Sequence, residues 1–382
     1  VSDVGTDIIV VGGGVMGSAA AWQLASRGAD VVLLERFEPG HVRGASHGAS
    51  RMFRFAYPDP FYTRLAVRAL PLWREIEAAA GVGLLAVTGG VDHGVDTATS
   101  AIAGALESVG APGQWLDPAD AIRRWPGLRF DGRVLFHPAS GRLDADAAVA
   151  ALQKLAVAAG ARVHHHVRVM HIGDGEVVTE AGDRYRSDRV VVCCGAWTQP
   201  LLGEHLQLPP LRVTQEQPLH FAPRPSLAGR EWPSVIHYRG PDTAPFGFGY
   251  GMRTPGEGVK FGFHHAGPEC DPDARDFAPE MRRLNVLLDY VREWVPGVDA
   301  RTWTPISCTY TCTPTEDFVI DAVGNLVVAA GFSGHGFKFA PVVGSMIADL
   351  ALGGPRPPAR FALPPRRDVT SRWTPHQPAR RG

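Results

Sequence analysis

Asp7-Ile8-Ile9-Val10-Val11-Gly12-Gly13-Gly14-Val15-Met16-Gly17 is the stretch from which the architecture can be read. Its first five residues form a short β-branched run, the kind buried on both faces of a parallel sheet. Ser18 to Arg27, rich in alanine with Leu24, predicts a helix that Gly28 ends, and Val31-Val32-Leu33-Leu34-Glu35 predicts the next strand. Gly12-x-Gly14-x-x-Gly17 therefore stands between a strand and a helix, where each glycine has a job. Gly12 allows the tight turn, Gly14 lets a pyrophosphate approach the backbone, and Gly17 permits close helix–strand packing. The helix N-terminus offers N–H groups and partial positive charge to phosphates. Glu35 ends the second strand, where a carboxylate accepts from ribose hydroxyls. These features predict a bound adenine dinucleotide, without separating NAD from FAD.

Outward from this unit, Pro60–Gly81 reads as a helix that Pro71 should kink or interrupt, and Asp144–Gly160 as a helix capped by Asp144. Arg162–Ile172, Val177–Thr179 and Arg189–Cys194 read as strands, and Leu326–Leu352 as a last strand–turn–helix unit. The segments 82–140 and 212–300 look antiparallel instead. The expected class is α/β: a Rossmann-like dinucleotide-binding domain assembled from discontinuous segments 1–81, 141–211 and 301–353. An α+β substrate domain with a mainly antiparallel sheet takes 82–140 and 212–300, and 354–382 is a Pro/Arg-rich C-terminal tail.

With 38 basic and 39 acidic residues the 382-residue chain is nearly neutral, which argues against a broad electrostatic grip on nucleic acid or membrane. The five cysteines are odd in number and lack a CxxC pair, as expected of a reducing compartment, and Ile8–Leu24 has no basic flank of a signal segment. A cytoplasmic protein, monomeric or weakly dimeric, is the expectation. Only Lys154, Lys260 and Lys338 are lysines among the 38 basic residues.

Three further stretches carry a resemblance: Gly44-Ala45-Ser46-His47-Gly48-Ala49-Ser50-Arg51-Met52-Phe53-Arg54, Ser307-Cys308-Thr309-Tyr310-Thr311-Cys312, and Ala330-Gly331-Phe332-Ser333-Gly334-His335-Gly336-Phe337-Lys338-Phe339. With Gly258-Val259-Lys260-Phe261-Gly262-Phe263-His264, they make the chain resemble the monomeric sarcosine oxidase and N-methyltryptophan oxidase family, within the D-amino-acid-oxidase-like flavoproteins. The likeness runs from about Asp7 to Leu352 and implies FAD as the cofactor. It implies that Gly12, Gly14, Gly17 and Glu35 hold pyrophosphate and ribose, and that the main chain at Val169 meets the adenine. Cys308 matches the cysteine bonded through sulfur to the flavin 8α-methyl, and Arg54 with Lys338 the pair that grips a substrate carboxylate. Lys260 matches the lysine that helps oxygen react. Ser46, His47, Arg51, His264, Tyr310, Gly334 and Gly336 match further residues around the cofactor.

The chemistry is consistent with that likeness. A planar arginine fork plus a point-charge ammonium suits a carboxylate, and a compact ammonium suits superoxide forming beside a flavin. Two of the three lysines fall in the segments where these cations are needed. The turn Gly331–Gly336 can present N–H donors to charge on a reduced ring. On strand alternation alone either Cys308 or Cys312 could approach the flavin; the resemblance selects Cys308. His164-His165-His166 reads as a partly exposed strand rather than a metal site. Phe246 takes the place of an aromatic hydroxyl in the family, which predicts an apolar pocket for a substituent larger than methyl.

The expected activity is FAD-dependent oxidation of a secondary or cyclic α-amino acid to an imine, with O2 reduced to H2O2. Alternatives are a flavin dehydrogenase using another acceptor, glycine-oxidase-like cleavage of a bulky N-carboxymethyl amine, and a non-catalytic FAD-binding scaffold.

Overall fold

The computed structural model describes residues 3–173, 175–203, 206–240 and 246–364. Asp3–Val11 lies in the first of two eight-stranded sheets, parallel to Val31–Leu34 on one side and Arg184–Val192 on the other. Arg162–His164 and Leu326–Ala330 extend this parallel core, and antiparallel strands at Glu176–Thr179 and Val319–Val323 complete its far side. Its central strands are buried over their full width, as their unbroken apolar runs require. Helix Val15–Ser26 covers one face with Ala145–Ala158 and Ala340–Ala351. Small residues let these helices close up: a Cβ on Gly344 would lie 2.8 Å from Ala19.

Gly17 is the tightest point of this layer, since a Cβ there would stand 1.9 Å from the Gly12 carbonyl oxygen. The obstacle is backbone and cannot rotate away. Gly17→Ala is expected to destabilise the protein by about 1–3 kcal/mol, the range for overpacking. Thermal unfolding and flavin absorbance per chain check this; an unchanged Tm with full colour contradicts it.

The second sheet runs Val298–Pro305, Leu219–Pro223, Gly258–Phe263, Gly249–Thr254, Ser234–Tyr238, Gly90–Gly94, Val134–His137 and Gln114–Leu116 in spatial order. All its neighbours are antiparallel except Ser234–Tyr238 with Gly90–Gly94, which are parallel. Helix Met281–Trp294 packs on it through Leu284, Leu287, Leu288, Tyr290 and Val291. Among the described residues no helix is long and apolar enough to cross a membrane.

Two local expectations change. The helix Pro60–Ala80 runs unbroken through Pro71, which lies on the solvent side where water can satisfy the displaced carbonyl. Arg162–Ile172 is not one strand: it breaks after His164, and His166 adopts a left-handed φ of 60° to start a second strand at Val169. The first part of the Pro/Arg-rich tail, 354–364, is anchored. Phe361 is fully buried beside Phe61 and Phe318, and Arg360 pairs with Asp59 and Asp317, both at 2.8 Å. Residues 365–382 of the expected tail lie outside the described residues.

Candidate active site

A cavity of about 520 Å³ runs from the Gly12–Gly17 turn to the face of the second sheet. At the turn, Gly14 is the N-cap of helix Val15–Ser26, whose first turn has no acidic residue. Such helix starts ordinarily attract carboxylates, so this one is left electropositive toward the cavity. Glu35 spans the turn, its Oε2 accepting from Gly13 N–H at 2.6 Å and its Oε1 from Phe37 N–H at 2.9 Å. Ser46 Oγ accepts from Val15 N–H at 3.1 Å. Gly12, Gly14, Glu35, Ser46 and Val169 all line this end, whereas Gly17 serves the helix–strand contact beneath it. The electropositive helix start, the glycine approach and the adjacent carboxylate fit an adenine dinucleotide.

Arg51, Arg54, Lys260, His264, Cys308, Tyr310, Gly334, Gly336 and Lys338 line the other end. They arrive from segments more than 280 residues apart, in two cationic pairs. In the first, Lys338 Nζ donates to Tyr57 Oη at 2.8 Å and to the His335 carbonyl at 2.7 Å. Burial, then repulsion from Arg54, holds its pKa well below the ordinary lysine value. Arg54 donates to Tyr238 Oη at 3.1 Å and faces Asp92 at 3.6 Å. Burial works against the charge on Arg54, but Tyr238, Tyr57 and Asp92 outweigh it and raise its pKa. Asp92 is wholly buried and is gripped from behind by His137, whose other ring nitrogen lies 2.6 Å from Ser140 Oγ.

In the second pair, Lys260 Nζ donates to the Ser50 carbonyl at 2.5 Å, and burial followed by repulsion from Arg51 lowers its pKa to about 7. Arg51 also donates to Cys308 Sγ at 3.6 Å. Cys308 faces the cavity; Cys312, at the other end of the same strand, is buried outside it. The turn Gly331–Gly336 is shaped by positive φ at Gly331, Ser333 and Gly334, and a Cβ on Gly334 would strike the Tyr310 ring at 2.2 Å. His264 stacks on Phe248 with centroids 4.5 Å apart and lies 3.3 Å from Tyr310 Oη. Burial, then His265 and His335, hold it well below the usual histidine pKa, so it is neutral.

His47 departs from its expected place. It lies not on the main cavity but on a second one of about 230 Å³, behind Lys260, which Arg51, His220 and Glu257 also line. The loop bends through Ser46 and turns at Gly48, and Ser46 and His47 meet different cavities. From Ser50, which caps Lys260, a string of polar contacts reaches Thr254 at 2.7 Å, His220 at 3.0 Å and the exposed Glu257 at 3.1 Å. Phe246 is also displaced: it packs 5.7 Å from Phe263 and under Arg283, away from the cavity. Phe248 supplies the aromatic wall instead, because Phe246 precedes the strand Gly249–Thr254 by a loop.

Tyr57, Asp92, Tyr238 and Phe248 were not singled out by the sequence. Tyr57 lies three residues past Arg54 and could have been found there; the others carry no local signal. His165 and His166 do not converge with His164, and His165 bridges the Phe37 carbonyl and Gln153.

A model of FAD-dependent oxidoreductases matches residues 7–350. Monomeric sarcosine oxidase of Streptomyces avermitilis is 35% identical over 364 residues, covering 91% of this chain and 94% of that protein. N-methyl-L-tryptophan oxidase of Yersinia pestis is 29% identical, covering 92% and 96% respectively. Among solved structures, NikD, described as an unusual amino acid oxidase essential for nikkomycin biosynthesis, superposes with a TM-score of 0.82 at 29% identity. That match covers 94% of this chain and 98% of the other.

Proposed function

The chain belongs to the FAD-dependent oxidoreductase family, and on that premise we propose that it oxidises the C–N bond of a secondary or cyclic α-amino acid, passing the electrons to O2. FAD, when bound, supplies the two-electron acceptor. The observation that carries the reading is the buried Arg54–Lys338 pair, two basic side chains in one cavity wall, with Asp92 standing behind Arg54. A substrate carboxylate between them supplies the missing anion, with the Arg54 fork fixing its plane and Lys338 its second oxygen. His264 and Tyr310, both uncharged, border the space left for the amine. The stacked Phe248–His264 wall, with Ile236 and Met252, favours an apolar substituent larger than methyl. Lys260 provides the cation for oxygen reduction.

Anaerobic mixing with N-alkyl and cyclic α-amino acids, and with the same amines lacking the carboxylate, tests this. Bleaching of the flavin by the acids, followed by peroxide formation on adding air, is expected. Bleaching by none of the acids, or equally by the decarboxylated amines, overturns it.

Cys308 is assigned the covalent link to the flavin 8α-carbon. With FAD bound, Cys308 would hold it through a thioether; that bond would replace the S–H and one methyl C–H, and the two electrons and two protons released would need O2 as their acceptor. Acid precipitation should leave yellow colour in the pellet of the native protein and in the supernatant of Cys308→Ala, while Cys312→Ala behaves as native. Colour in the native supernatant contradicts the link.

A further inference from the structure

The geometry points to a metal site on the back of the second sheet, in which His93, His237 and Asp131 bind one divalent ion of the zinc class. His93 and His237 are register partners on the parallel strands Gly90–Gly94 and Ser234–Tyr238. Strand alternation sends Asp92 and Tyr238 forward to Arg54, and the two histidines backward toward helix Met281–Trp294. Their rings lie 4.2 Å apart, stacked 17° from parallel, so one ring turns out of the stack for both lone pairs to meet one ion. The exposed Asp131, following Phe130 in the loop that covers them, completes the group, and one ligand atom from each residue lies within 4.8 Å of the other two.

Two features mark this as more than two histidines filling space. His93 is 2% exposed, yet its Nδ1 is buried with no hydrogen-bond partner. A polar atom left so costs about 1–3 kcal/mol unless something satisfies it. His237 directs Nδ1 to Tyr290 Oη at 3.3 Å, which leaves Nε2 for a ligand. A histidine fixed through one ring nitrogen while the other binds is the usual support for a metal-ligating imidazole. Burial lowers the pKa of both, that of His237 to about 4, so both lone pairs are available at neutral pH.

Two imidazoles and a carboxylate suit zinc, cobalt or nickel rather than magnesium or calcium, which take oxygen ligands. Three protein ligands leave a fourth position, which water can fill beside the exposed Asp131. Zinc–nitrogen bonds of about 2.1 Å place ligand atoms about 3.4 Å apart, so the ion draws the two rings and Asp131, with its loop, together. It thereby ties that loop to the two strands whose front faces hold Arg54, without entering the catalytic cavity.

The test is to treat the full-length protein with a chelator, dialyse it, and titrate it with Zn2+, following bound metal per chain and Tm. One ion per chain and a raised Tm are expected. His93→Asn should weaken binding at least about 100-fold. Asp131→Asn, at an exposed position, should weaken it at least about tenfold. Flavin absorbance should be unchanged in both, which separates this site from the cavity. No stoichiometric binding by the native chain, or native affinity in Asp131→Asn, overturns the proposal.

Discussion

Arg54→Met is expected to lower kcat/KM for an α-amino acid on the order of 10²–10³-fold, mainly through KM. The size follows from about 3–4 kcal/mol for deleting one member of a buried, hydrogen-bonded charge pair. The substitution also strands Asp92, buried at 0% exposure and shared with His137 and Tyr238. Steady-state kinetics with the acid and its decarboxylated amine measure the effect, and the amine should lose less than about tenfold. Equal losses would mean that Arg54 holds the fold rather than the carboxylate. Lys338 adds a proton signature. Its pKa lies well below the ordinary value in the free protein, because of burial and Arg54, and an arriving carboxylate raises it. Binding therefore takes up a proton, and affinity should strengthen as pH falls between the two values. Titration calorimetry in buffers of different ionisation enthalpy reads that uptake directly. The amine itself must be neutral to react, so the reductive rate should move the other way, rising with pH.

Lys260→Met should slow reoxidation by O2 about 10²–10³-fold while anaerobic reduction changes little, the range for losing one preorganised electrostatic donor. Stopped-flow measurement of the two half-reactions separates them; equal slowing of both would remove Lys260 from the oxygen step. The same variant makes a stability prediction. Folding moves the Lys260 pKa from 10.5 down to about 7, so between those values the unfolded chain holds more protons than the folded one. Stability from this group therefore rises with pH across that window, and below pH 7 its penalty is present in full. Met removes the penalty: the variant should be more stable than the native chain by ~2–4 kcal/mol near pH 6. The advantage should shrink toward pH 10. Denaturant titrations across the range check both sign and slope.

The dinucleotide end of the cavity is readable because it is local. Gly12, Gly14, Gly17 and Glu35 lie within one strand–turn–helix–strand unit, and each residue type follows from backbone geometry. The cationic end became readable only through motif likeness, since Arg54 follows the strand Arg51–Phe53, Lys260 sits in Gly258–Phe263 and Lys338 in the turn Phe337–Phe339, and tertiary packing rather than spacing brings them together. Asp92 and Tyr238 show the boundary of what sequence carries. Each sits in an apolar strand like many others, and they meet because Gly90–Gly94 and Ser234–Tyr238 pair in parallel. Phe246 and Phe248 differ by a two-residue offset in a loop, which no periodicity constrains. The His164–His166 run misled for a similar reason: a left-handed turn at His166 is invisible in a β-prone sequence.

The scarcity of lysine has a practical side. Lys260 and Lys338 are each 5% exposed inside the cavity walls, whereas Lys154 stands on the outer surface of its helix. Among the lysines of these 382 residues, an amine-reactive dye or resin therefore meets a single accessible anchor. The flavoprotein should couple to an electrode or bead at one defined point, on the dinucleotide side and away from the amine-binding end.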